Sequence, residues 1–306
     1  MTASIESDRP EPWPSSAGLL ADQVRSNLVQ FVRIPVALFF TLVLPLLMLV
    51  LFNTLFAGDE AVVEGPVGEW PLRQFYVGSL AAFTAVSGTF TNLVNMIPGR
   101  RETGVMKRWR GTPLPDWVYL AGFVGSAVVI ALGGVVIMLG VGVAFYGTEV
   151  DPAKMPAAAV AFLMGVIAFS ALGVAVSGLV RKADAAPAVA NAAPAVANAV
   201  ILPLGFISNV FVAVDQGNLP TWLDWLSSVL PLRPFVESMQ GAFNPTVEPP
   251  AFNWSDLAVL AAWSLIGVAI AWKFFKWEPL SDDGRAGRAG AGRHRRRDPK
   301  PIPEVG

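Results

Sequence analysis

The stretch Arg100–Pro115 reads RRETGVMKRWRGTPLP and lies between two long apolar runs. It is the densest charge cluster ahead of the C-terminal tail. A loop this basic fixes which way up its flanking runs lie, provided they cross a membrane. Composition says that they do. The 306-residue chain is 54% hydrophobic and 15% charged, with a mean hydropathy of +0.53. A soluble domain is about a quarter charged. Here charge is missing and nothing polar replaces it, as expected of a chain dissolved in lipid.

A spanning helix needs roughly 20 apolar residues. Six runs qualify: Pro35–Phe56, Phe75–Ile97, Val118–Tyr146, Pro156–Val180, Ala192–Val214 and Leu257–Trp272. None contains Asp, Glu, Lys, Arg or His. If the chain changes sides at each run, 19 of the 22 Lys and Arg fall on one side, together with both termini and the Arg100–Pro115 loop. The other side keeps only Arg73, Lys154 and Arg233. Cytoplasmic loops carry the excess of positive charge, so the first side is expected to be the cytoplasm. An odd number of spans would destroy this partition. The outer loops are acidic, the first carrying Asp59, Glu60, Glu64 and Glu69.

The expected fold is therefore all-α, a polytopic membrane protein with six transmembrane helices and shorter helices around them. Ahead of the first run, Leu20, Val24, Leu28 and Phe31 recur at helical spacing within Ser16–Val32, while Asp22, Gln23, Arg25, Asn27 and Gln30 lie largely elsewhere on the wheel. This predicts an N-terminal amphipathic helix, either interfacial on the inner membrane surface or a polar cytoplasmic helix without lipid contact. Before the last run, Thr221 and Asp224 have capping-box spacing after Pro220, and a second short helix is expected over Pro234–Ala242. Trp222 and Trp225 suit a membrane interface. The pair reads as short re-entrant helices or as an ordinary structured outer loop. Residues 1–18 lack the apolar core of a secretory signal. The Gly-, Ala- and Arg-rich tail is expected to be disordered. The unit AAPAVAN occurs twice in succession over residues 185–198. Its prolines make it either a flexible entry to the fifth run or a plain extension of that run.

The chemistry available is narrow. There is no Cys, so there are no disulfides and no thiolate metal sites, and the one His, His294, sits in the basic tail. The sequence holds no GxxxxGK[ST], HExxH or GxSxG motif. Uncharged spans argue against an ion-coupled carrier, which needs something at membrane depth to bind its ion. The polar groups that remain in the runs, among them Asn92, Asn95, Ser208 and Asn209, either line a path or bond helix to helix. Small residues at spacing four, Ala121 with Gly125, Gly122 with Ser126, Ala171 with Ala175 and Gly173 with Ser177, allow close helix packing within or between subunits.

The Arg100–Pro115 loop has more pattern than a topology anchor requires. Glu102, Met106 and Trp109 recur at helical spacing, Val105 and Trp109 form an apolar pair, and Gly111 and Pro113 stop the helix. That suggests a docking element. The residues Glu102, Gly104, Arg110, Thr112, Pro113 and Leu114 resemble the loop between the second and third spans of the type-two ABC export permeases, closest to the daunorubicin/doxorubicin-resistance branch. Asp184, Asn198, Pro203, Leu204 and Ser208 resemble a second family pattern, and the segment LPTWLDWLSSVLPLRPFVESM is similar to the family's last outer loop. Two features depart from the pattern. The duplicated AAPAVAN looks like an insertion, and Asn209 stands where the family often has Gly.

The resemblance implies a division of the chain into a cytoplasmic N-terminus with an amphipathic connecting helix (1–34), a six-helix permease domain (35–277) and a tail (278–306). It implies an ATPase-coupling loop carried by Glu102, Gly104, Met106, Arg108, Trp109, Arg110, Thr112 and Pro113. It also implies no catalysis and no cofactor on this chain, ATP and Mg being bound by a separate ABC ATPase subunit, and a second permease subunit, homo- or heterodimeric. The substrate expected is a small hydrophobic, amphiphilic or drug-like compound, or a lipid, exported across a bacterial plasma membrane; no nucleic acid is involved. The rival readings are an ion-coupled carrier and a non-transporting membrane scaffold.

Overall fold

The computed structural model describes residues 15–58, 61–65, 68–102, 116–179, 193–213 and 220–274. Helix α1, Ser16–Arg33, opens on Ser15, whose hydroxyl accepts from the Gly18 N–H at 3.2 Å. It stops at Ile34, because a residue ahead of Pro35 disfavours the helical conformation. Pro35 then starts α2, Pro35–Leu55, at a position where a missing N–H costs nothing. Within α2 a π turn, Phe39–Val43, comes just before Pro45 and loosens the helix where proline leaves a carbonyl without its usual donor. Thr41, Pro45, Leu49 and Asn53, spaced by four, form its buried face. The opposite face, with Val36, Phe40, Leu47 and Leu51, is exposed.

Helix α3 comprises Leu72–Val86, a second π turn Ser87–Thr91, and Asn92–Glu102. Residues 74–94 are buried without a break. The other helices surround α3, which explains why it is the least apolar of the long helices: it never faces lipid. Three of its hydroxyls are satisfied within the helix, Ser79 donating to the Phe75 carbonyl, Thr84 to Leu80 and Thr89 to Ala85, each at 2.7 Å, while that of Thr91 is buried without a partner among the described residues.

Around α3 pack α2, then α4 (Asp116–Tyr146) and α5 (Met155–Leu179). Helix α9 (Trp254–Phe274) lies along α5, so closely that a Cβ at Gly267 would stand 2.9 Å from the Ala171 Cβ. Gly173 and Ser177 meet α3 instead, Ser177 donating to the Gly173 carbonyl at 2.6 Å and reaching that of Leu93 at 3.4 Å. Both small-residue stripes of α5 therefore serve contacts within the subunit.

The run predicted over Ala192–Val214 gives α6, Ala193–Ile207, of 15 residues. Five helices among the described residues are long and apolar enough to cross a membrane, and α6 is not one of them. Much of the AAPAVAN duplication lies outside the described residues. Helix α6 ends in a left-handed cap. Asn209 has φ +56°, and the Val210 N–H bonds back to the Gly205 carbonyl at 3.0 Å. Asn tolerates this conformation better than other non-glycine residues, so the departure from Gly keeps the helix break.

Two short helices follow, α7 (Thr221–Val229) and α8 (Leu232–Phe243). The capping box expected at Thr221 does not form. Pro220 occupies the cap position, Thr221 is already helical, and Asp224 pairs elsewhere. Ten of the 12 residues of α8 are buried, because it wedges between α3, α5 and α9. The chain is not wholly helical: β1 (Val62–Gly65) and β2 (Gly68–Pro71) form an antiparallel hairpin in the loop between α2 and α3. It has too few residues to change the fold class.

Candidate functional site

The bundle has a basic end and an acidic end. The basic end carries α1, the end of α3 and the start of α4. There the Ala121–Gly125 and Gly122–Ser126 stripes of α4 receive α1. A Cβ at Gly122 would overlap the Gln23 side chain, and one at Gly125 would come within 3.0 Å of Val24. The buried face of α1 is thus centred on Asn27 and Phe31. The wheel puts Asn27 on the polar side, and the structure corrects this. Its Nδ2 donates to the Gly122 carbonyl at 3.2 Å, and its Oδ1 accepts from the Arg100 Nη2 at 2.9 Å. The Arg100 guanidinium also lies 5.9 Å from the centroid of the Phe123 ring. One side chain on α1 therefore ties together the two helices that flank residues 103–115.

Those residues include seven of the eight proposed coupling positions. Gly104, Met106, Arg108, Trp109, Arg110, Thr112 and Pro113 lie outside the described residues, and Glu102 ends α3.

At the acidic end all three minority cations bear on the structure. Lys154, 4% exposed, donates to the Asn244 carbonyl at 2.8 Å. Arg233 bonds Asp224 on α7 at 2.6 Å and Glu237 on α8 at 2.7 Å. Burial disfavours its charge, but the hydrogen bonds and fields of Glu237 and Asp224 outweigh this and raise its pKa above the ordinary value. Arg73 has its Nε buried without a hydrogen-bond partner among the described residues. Trp222, Trp225 and Trp254 are exposed at this end.

Deeper, Gln240 of α8 donates to the Ser79 hydroxyl at 2.7 Å and to the Asn209 carbonyl at 3.1 Å. This locks α8 and the end of α6 onto α3. Beside that lock lies an open cleft of about 1060 Å³ between α2, the hairpin, α3 and α6. Phe52, Phe56, Tyr76, Phe206 and Phe211 line it, with Glu64 as the one charged lining residue among the described residues.

None of the four expected path-lining residues lines this cleft. Asn209 and Ser208 sit in the break beside its wall, Ser208 with a buried hydroxyl that has no hydrogen-bond partner among the described residues. Asn92 is roughly 24 Å along α3 from Tyr76, at 1.5 Å per residue. The Asn92 Nδ2 and Asn95 Oδ1 are likewise buried without a partner among the described residues. The sequence points to an apolar path with polar and aromatic groups, but the residues singled out for it are the polar ones alone. The pairing of Phe52 with Phe56 at spacing four on an exposed helix face was the available signal. For Asn27 there was none.

A profile described as ABC-2 type transporter matches residues 23–244, from within α1 to the end of α8. No curated protein matches the chain. The match covers the central buried helix, the helices flanking residues 103–115 and the wedge helix. On that match and this architecture, the chain belongs to the ABC-2 type transporter family, as a multi-pass transmembrane permease subunit of an ABC transporter.

Proposed function

We propose that this chain is the membrane half of an exporter powered by a separate ABC ATPase, with the basic end in the cytoplasm and the loop from Glu102 to Pro113 as the coupling segment. The observation that carries this reading is the Asn27 link, which joins α1 to both helices that enter and leave that segment. A push on a segment held in this way moves α1, α3 and α4 together, and α3 is the axis of the bundle. The charge distribution supports the orientation, since two of the three cations of the acidic end, Lys154 and Arg233, are tied into the fold. The aromatic cleft suits an amphiphilic or drug-like compound, with lipid as the next class, and the coupling-loop motif favours the drug-resistance branch. On this reading α1 is interfacial and α7–α8 re-enter the outer leaflet. The run Ala192–Val214, which contains α6, completes the six spans on this reading, and a second permease subunit pairs with this one around a central path. ATP and Mg bind the partner ATPase, in a bacterial plasma membrane.

The test uses inside-out vesicles carrying the chain and its ATPase. ATP-dependent uptake of the substrate should vanish with Glu102→Arg while the variant still inserts into the membrane. Uptake that survives the charge reversal would remove Glu102 from the coupling role.

A further inference from the structure

The β1–β2 hairpin contains a feature that its stability does not require. Glu64 and Glu69 stand directly opposite each other across the ladder. Like charges in that position repel, and an isolated two-stranded hairpin has little to spare. No ion pair to either carboxylate forms among the described residues. Glu64 lines the rim of the aromatic cleft. On the wall of the same cleft, Tyr76 is 5% exposed, and its hydroxyl forms no hydrogen bond among the described residues.

An aromatic wall attracts organic cations through its π faces. A carboxylate pair beside it adds charge attraction, and a bound cation relieves the repulsion between the two carboxylates. Neutral or anionic compounds gain neither effect.

We propose that this cleft binds amphiphilic organic cations. Phe52, Phe56, Phe206 and Phe211 take the apolar body, Tyr76 offers its hydroxyl and ring, and Glu64 with Glu69 holds the charge. That the bound cation is also cargo rests on the reading of the chain as an exporter subunit; the binding itself does not.

The full-length chain in lipid nanodiscs provides the test, with empty nanodiscs as background. The probes are tetraphenylphosphonium and its near-isosteric anion tetraphenylborate. The phosphonium should bind saturably and the borate should not. The double variant Glu64→Gln/Glu69→Gln should weaken phosphonium binding by about 10-fold or more, with a melting temperature at or above that of the parent because the repulsion is gone. Phe206→Ala should weaken the same binding through the wall rather than the charge. Equal binding of the two probes, or unchanged phosphonium binding in the double variant, overturns the proposal. Binding confined to monomeric chain and lost on dimerisation would assign the cleft to a second copy, and overturns it too. No ATPase enters this assay, so its failure is separable from failure of the vesicle test.

Discussion

Arg100 and Asn27, 73 positions apart in sequence, are joined by a hydrogen bond of 2.9 Å from the guanidinium to the carboxamide oxygen. Because the same carboxamide donates to Gly122, a single side chain connects the N-terminal helix to the helices before and after residues 103–115. Asn27→Leu keeps the size and removes both bonds, taking this acceptor from a half-buried guanidinium. The expected cost is about 1–3 kcal/mol, read as a lower melting temperature. The larger effect should be on coupling: ATP hydrolysis by the assembled transporter should lose its response to substrate.

The glycines of α4 give a sharper contrast. Gly122→Val would drive a side chain into Gln23 and lift α1 away, whereas nothing lies within 4 Å of a Cβ at Gly133. Gly122→Val should destabilise by about 1–3 kcal/mol. Gly133→Ala should be neutral or stabilise by up to about 1 kcal/mol, since alanine is the better helix former. Thermal unfolding in one detergent compares the two.

At the break after α6, backbone conformation decides the outcome. Asn209→Gly should change stability by less than about 0.5 kcal/mol, while Asn209→Val, forced to a positive φ, should lose about 1–2 kcal/mol. If both behave alike, the left-handed cap is not the native one.

Arg233→Met removes the shared partner of Asp224 and Glu237. Asp224 is 43% exposed at its side chain, so solvent screens part of the loss. The expected cost is about 1–3 kcal/mol, with faster proteolysis between α7 and α8.

Much of the fold was legible because lipid imposes a simple rule: an apolar run of sufficient length is a helix. The run Pro35–Phe56 became α2 within one residue, and Met155–Leu179 matches its run as closely. What stayed hidden depends on packing between distant segments. Asn27 looked polar on the wheel because nothing in its neighbourhood announces Gly122 or Arg100. Gln240 and Ser79 are separated by 161 positions and meet only because α8 enters the bundle. The hairpin was missed because four-residue strands carry little periodic signal. The coupling motif was legible from residue types and spacing alone; seven of its eight positions lie outside the described residues.

Orientation can be tested without background, because the chain has no cysteine. Ser255→Cys lies exposed at the acidic end and Ala17→Cys at the basic end. In intact cells a membrane-impermeant maleimide should label the first and reach the second only after permeabilisation.

The central claim is that an ABC ATPase docks on the basic end. A mild-detergent pull-down of the tagged chain from its native membrane tests it directly, with bound proteins identified. Recovery of a P-loop ATPase that is lost with Glu102→Arg is the predicted result. Absence of any ATPase under conditions that preserve other membrane complexes would contradict the claim.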